Sequence, residues 1–269
     1  MPKMSVNEVN LHYEVSGAGP SVVLCHGYSG SHQDWMYQIP VLSQHYQAIA
    51  IDTRGHGSSD APSSPDAYSI PIFASDVYTL LDHLGITKCC FIGHSMGGFT
   101  GLQLAVDYPQ FFTSLVLVDA SSVPVIIPGQ AELRAKLDEI ARRDGTEAAF
   151  EYNAQHNPVV QKRFEKYPKL REVARRKTRD TSVDGYIYSW QAISQWLGVT
   201  ARLGEISAPT LVIVGEEDVA FHQPTEVLAK AIPNARRYVV PQATHYPHEE
   251  NPQAFNELLI TFLTEVGAG

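Results

Sequence analysis

What most constrains this chain is a series of short apolar runs, each stopping at Gly, His or Asp. Ser21–Cys25 (SVVLC) ends at His26–Gly27, Tyr46–Ile51 (YQAIAI) at Asp52, Cys89–Ile92 (CCFI) at Gly93, Leu115–Val118 (LVLV) at Asp119 and Leu211–Val214 (LVIV) at Gly215. Tyr238–Val240 is a weaker candidate. Runs this short, with no polar alternation, read as strands buried on both faces. Segments with helical spacing separate them. Ile70, Ile72, Phe73, Val77, Leu80, Leu81 and Leu84 form one broad face over Ile70–Leu84. Gly97–Tyr108 is closed by Pro109, Pro252–Val266 is amphipathic, and Asp34–Ser43 is a short helix candidate. Such alternation predicts an α/β fold with a mostly parallel central sheet flanked by helices, and sites at the carboxyl ends of its strands. Met4–Val15 alternates polar and apolar residues and reads as an antiparallel hairpin strand.

One stretch breaks the alternation. From Ser121 to about Leu203 there is no buried strand, while Gln130–Arg143, Glu147–Ala154, Pro168–Arg179 and Asp184–Leu197 look helical. The expected organisation is therefore a core of residues 1–120 and 204–269 carrying a helical cap insertion over 121–203. The charged run Arg175–Asp180 (RRKTRD) within it reads as a solvated helix face.

The chain has 269 residues and a formal charge of −9. A negative surface repels phosphate backbones, which argues against a nucleic-acid partner. No apolar run approaches the ~20 residues of a membrane helix, so no membrane partner is expected. No apolar segment of signal-peptide type follows Met1, and the expected location is cytoplasmic. Cys25, Cys89 and Cys90 all lie in apolar runs without CxxC spacing and read as buried thiols. Neither a metal-ligand spacing nor a Gly-rich phosphate loop is visible, so no metal and no cofactor is expected.

The chemistry-bearing signal is Gly93-His94-Ser95-Met96-Gly97, a G-x-S-x-G sequence between an apolar strand and a helix. A nucleophile on a sharp strand-to-helix turn adopts an unfavourable backbone conformation. Side chains two residues to either side would collide with neighbouring backbone, hence the glycines. The helix starting near Met96 aims free N–H groups at the same spot.

These segments resemble the α/β-hydrolase fold superfamily. GHSMGG at 93–98 looks like its nucleophile elbow. His26-Gly27-Tyr28 is similar to its oxyanion turn, and Asp52–Asp60 (DTRGHGSSD) to its DxRGxGxS loop, where Asp52 and Arg54 can pair. Pro209–Asp218 resembles the strand delivering the acid, and Ala243–Pro252 the loop carrying the histidine. The resemblance implies Ser95 as nucleophile, His245 as general base and Asp218 as orienting acid. The chain order Ser, Asp, His is the one this fold uses. His248 is the nearest rival base. Asp119, after the preceding strand, occupies a position that some members use for the acid instead. The oxyanion hole falls to the backbone N–H groups of Tyr28 and Met96. His94 is expected to give a supporting contact, His26 to shape the oxyanion turn, and His32 and His56 to be exposed or loop histidines.

A seryl nucleophile favours acyl transfer to water. Cleavage of a small, hydrophobic carboxylic ester or lactone leads. A carbon–carbon bond hydrolase, a cofactor-free perhydrolase and a non-enzymatic small-molecule receptor of the same fold are the alternatives. Trp190, Trp196, Val219 and Tyr246 are the candidate pocket residues. Each Trp could equally pack the cap on the core, and six residues of helix separate them onto different faces. Either a monomer or a homodimer is compatible with the sequence.

Overall fold

The computed structural model describes residues 2–267. Its strands are β1 (Lys3–Val6), β2 (Val9–Ser16), β3 (Ser21–Cys25), β4 (Gln47–Ile51), β5 (Cys89–His94), β6 (Phe112–Val118), β7 (Thr210–Gly215) and β8 (Ala235–Val240). They form one sheet in the order β1-β2-β4-β3-β5-β6-β7-β8. From β4 to β8 all pairs are parallel; β1–β2 and β2–β4 are antiparallel. The segment expected as one hairpin strand is two strands, because Asn7 and Glu8 turn the chain with φ of 44° and 67°. The parallel strands β3, β5 and β7 are buried nearly throughout, as their unbroken apolar sequences require.

The helices are α1 (Ile39–Leu42), α2 (Ile70–His83), α3 (Met96–Asp107), α4 (Gln130–Asp144), α5 (Thr146–His156), α6 (Pro158–Lys166), α7 (Pro168–Arg179), α8 (Val183–Gln195), α9 (Val219–Ala231), α10 (Pro247–Glu250) and α11 (Pro252–Glu265). No described helix is long and apolar enough to cross a membrane. The sheet separates two cores. One face packs Phe73, Leu80, Phe91, Phe99 and Leu102 with α2 and α3; the other packs Leu24, Trp35, Ile92, Phe255 and Leu259 with α11. Helices α4–α8 run between β6 and β7 without a strand, and a third cluster joins Leu137, Ile140, Phe150-adjacent Ala149, Tyr186 and Ile187 among them.

Four expectations are corrected. The helix expected over 34–43 is a 3₁₀ turn (His32–Trp35) followed by the single turn α1. Helix α6 lies in a stretch assigned no helix, and α9 carries Pro224 inside it, a residue that masks a helical pattern. Arg175–Asp180 is not wholly solvated: Lys177 and Thr178 are buried, as a 3.6-residue period turns part of any charged run inward.

The fourth correction concerns Asp52 and Arg54, which do not pair. Arg54 Nε and Nη2 donate to Asp76 Oδ2 and Oδ1, each at 2.7 Å, and both side chains are buried. Asp52 accepts instead from His12 Nδ1 (2.8 Å), the His32 backbone N–H (2.6 Å) and the Ser58 N–H (2.9 Å). Burial pushes Asp76 above the usual carboxylate range, although Arg54 pulls the other way. Replacing Arg54 by Met strands that carboxyl. The expected loss of stability is about 3 kcal/mol, the lower end for a broken buried pair, because Asp76 can take up a proton. Urea unfolding of R54M beside R54M/D76L measures it, and the double variant should recover most of the loss.

Candidate active site

Three strand ends and one loop bring the site together. Ser95 follows β5 and caps α3 with φ 48° and ψ −110°. This is left-handed backbone for a residue with a β-carbon, a strain of about 1–3 kcal/mol. Its N–H donates to Val118 O and its carbonyl accepts from Phe99 N, both at 2.9 Å. A Cβ at Gly93 would overlap the Gly97 carbonyl, and one at Gly97 the Cys25 carbonyl. The two glycines of the motif are thus dictated by backbone contact. The Ser95 side chain makes no capping bond to its own helix, so its hydroxyl is not committed to α3.

His245 lies between β8 and α10. Its Nδ1 stands 2.7 Å from Asp218 Oδ2, and its ring packs against Phe221 with centroids 4.7 Å apart. His94, beside Ser95, donates from Nε2 to the His245 carbonyl at 2.7 Å. Burial holds His94 neutral, with its pKa well below the ordinary histidine value. The rival His248 is fully buried, with its ring 4.8 Å from Trp35 and 4.6 Å from His94. It faces the core, and burial likewise lowers its pKa.

Two carboxyls meet here. Burial alone would raise Asp218, but the adjacent His245 outweighs it and holds Asp218 below the usual range. Asp119 ends β6 with φ 44°, is fully buried, and accepts the Gly215 N–H at 3.0 Å. Burial, then the charge of Asp218, raises it well above that range. Neighbouring carboxyls commonly divide in this way, one ionised and one neutral. Only Asp218 hydrogen-bonds the imidazole.

Tyr28 and Met96 sit where the turn after β3 and the start of α3 meet the elbow. Among the described residues, neither backbone N–H donates to a protein acceptor. The Tyr28 hydroxyl is engaged: it donates to Tyr186 O at 2.6 Å and accepts from Arg134. Arg134 stacks 4.2 Å from the Tyr186 ring centroid. The pocket candidates separate. Trp190 is half-buried with its ring 5.5 Å from that of Tyr28. Trp196 stacks on Phe99 (5.4 Å) and donates to Gln103 at 2.9 Å, so it packs α8 onto α3. Val219 is 84% exposed at the start of α9. Tyr246 lies beneath Arg163, 3.6 Å from the guanidinium carbon.

His26 shapes the turn after β3. His26 Nδ1 bonds Gly27 O at 2.7 Å, and its Nε2 accepts the Thr53 N–H at 3.1 Å. His56 is a loop histidine, as expected, but a fully buried one, and His32 is bonded to Asp52. Among the described residues, three groups place potential metal ligands within 4.8 Å of one another: His12 with His32 and Asp52, Asp34 with His94 and His248, and His94 with Asp119 and His245. The first already has Asp52 saturated by hydrogen bonds. In the second, the Lys177 ammonium 2.7 Å from Asp34 opposes another cation. The third is the proposed triad region itself. The three cysteines are buried, and burial pushes Cys25 and Cys90 up to about 12, which leaves no reactive thiolate.

A family model described as alpha/beta hydrolase fold matches residues 20–252. The chain belongs to this family. A 3-oxoadipate enol-lactonase 2 from Acinetobacter baylyi is 29% identical over 256 residues, covering 94% of this chain and 92% of the relative. The crystal structure of an enol-lactonase from Burkholderia xenovorans superposes with TM-score 0.86 at 30% identity, covering 98% of this chain and 100% of that one. A thermophilic esterase from Thermogutta terrifontis, with malate bound, gives 0.87 at 27% identity over 98% of each. This α/β hydrolase therefore has esterases and lactonases as full-length structural neighbours.

Burial also makes the site region sensitive to acid. His26 is held down to about 4 and His56 to about 3, chiefly by desolvation. Unfolded histidine titrates near ~6.5, so below that pH the unfolded chain binds more protons than the folded one. Stability should be fully present above ~6.5 and fall as the pH drops towards 4, by about 3 kcal/mol per histidine. Urea midpoints at pH 7, 5.5 and 4.5 test this. Equal midpoints would contradict it.

Proposed function

We propose that this α/β hydrolase cleaves carboxylic esters or lactones of small, hydrophobic substrates through an acyl-enzyme on Ser95. The observations that carry the reading are the 2.7 Å contact between His245 Nδ1 and Asp218, and the strained backbone of Ser95 at the carboxyl end of β5. With Nδ1 engaged by a carboxylate, the imidazole keeps Nε2 unprotonated for the serine hydroxyl. Ser95 attacks the carbonyl as His245 takes its proton. The N–H groups of Tyr28 and Met96 stabilise the oxyanion, and the α3 N-terminus adds its positive dipole end. His245 then protonates the leaving alkoxide, which in a lactone stays tethered to the acyl group. A water deprotonated by His245 attacks the acyl-enzyme, and His245 returns that proton to the Ser95 oxygen as the acid is released. Asp218 remains ionised throughout, and its low pKa serves that role.

Helices α4–α8 act as a cap over this edge. Trp190 and Tyr28 supply its aromatic lining, with Trp196 as the packing contact to the core. Full-length enol-lactonase and esterase neighbours support the substrate class.

The test is a panel of p-nitrophenyl esters, aliphatic lactones and a peracid assay, with Ser95→Ala and Asp218→Asn in parallel. Ser95→Ala should lower kcat by about 10⁴-fold or more. Asp218→Asn should retain more activity than Ser95→Ala, since the base survives with its orientation lost. Ester turnover that survives Ser95→Ala, or binding without turnover across the panel, would overturn the reading.

A further inference from the structure

The loop that presents His245 is gripped from outside the sheet. Arg163 of α6 places Nε 2.7 Å from Glu250 Oε1 and Nη2 2.9 Å from Glu249 Oε2. Its guanidinium also lies 3.6 Å from the Tyr246 ring centroid. Glu250 in turn accepts the Thr244 N–H at 2.6 Å and the Thr244 hydroxyl at 2.8 Å. One side chain thus bears on both neighbours of His245 in the chain, directly at 246 and through Glu250 at 244. Lys177 of α7 completes the grip by pairing with Glu249 and, at 2.7 Å, with Asp34 in the 3₁₀ turn after β3. All five charged side chains of this network are buried.

We infer that Arg163 is a positioning residue for the reaction: by clamping residues 244–250 it fixes where His245 points. The inference rests on the proposed role of His245 and extends it to a residue of the inserted helices. Three features support it. A buried ion pair is a poor source of net stability, because desolvation offsets its attraction, so a buried cluster of five charges implies a demand for fixed geometry. The planar fork of Arg163 meets two carboxylates from consecutive residues, which a point charge cannot orient equally well. Burial would raise Glu249, yet Lys177 and Arg163 hold it ionised, so the clamp keeps its charge.

The experiment compares Arg163→Met, Arg163→Lys, Glu250→Gln and His245→Ala by steady-state kinetics on a short p-nitrophenyl ester, with circular dichroism and thermal melting on each. His245→Ala reports on the catalytic reading itself. If it keeps wild-type activity, the proposed function fails and the clamp with it. With His245→Ala inactive, folded Arg163→Met should show kcat reduced tenfold or more and KM within twofold. Arg163→Lys should fall between it and wild type, because charge is kept and the fork lost. A wild-type kcat in folded Arg163→Met, or a raised KM at unchanged kcat, would overturn the inference while leaving the hydrolase reading intact. Should Arg163→Met not fold, Glu250→Gln decides. It keeps the volume and weakens the hold on Thr244, so kcat should fall several-fold at constant KM, and an unchanged kcat overturns the clamp.

Discussion

Ser95 is held where its backbone would not rest, and the surrounding architecture is arranged so that it cannot relax. Its N–H is tied to β6 through Val118 and its carbonyl to α3 through Phe99. Glycines at 93 and 97 let β3, β5 and α3 approach until a β-carbon would no longer fit. The strain is affordable because the parallel strands on either side are buried and rigid; a mobile sheet edge would let φ at residue 95 drift back to negative values. The same constraint places the hydroxyl at the carboxyl edge, where the ends of β3, β6 and β7 also arrive. Those strand ends carry the turn at Tyr28, Asp119 and the loop to Asp218.

The two carboxyls at that edge show how location divides one chemistry into two roles. Asp119 and Asp218 leave neighbouring strands and lie close enough to influence one another. Asp218 is ionised because it meets an imidazole. Burial, the charge of Asp218 and a hydrogen bond to it push Asp119 well above the usual carboxylate range, against the pull of the Gly215 N–H. Apolar pattern alone offers two aspartates after two strands; it was the family resemblance that put Asp218 ahead of Asp119.

Legibility in the sequence followed from the range of the interaction. Strands β3 to β7, helices α2, α3 and α11 and the elbow are governed by local period and local sterics, so pattern alone located them. The strand-free stretch over 121–203 was visible for the same reason. Pairings between distant residues were not. Asp52 and Arg54 are neighbours in the chain, yet each finds its partner elsewhere, Arg54 in α2 and Asp52 on His12 and His32. Helix α9 was hidden by Pro224, and α6 by a charged stretch whose apolar face is short. His56 read as a loop histidine because nothing in GHG signals that the loop folds under Tyr28.

The inserted helices carry the most instructive failure. Arg163 and Lys177 look like ordinary surface cations on polar helices, and composition gives no reason to bury them. Only the fold supplies the reason: Glu249 and Glu250 are carried inward by the single turn of α10, directly after His245, and two buried carboxylates must meet cations or lose their charge. Among the described residues, the cations that meet them come from α6 and α7. Core and insertion therefore cannot be separated into a catalytic part and a covering part. The sheet strains the proposed nucleophile into place, and the insertion neutralises and fixes the loop of the proposed base. A displacement of α6 and α7 as a rigid lid would have to break both buried cation contacts at once.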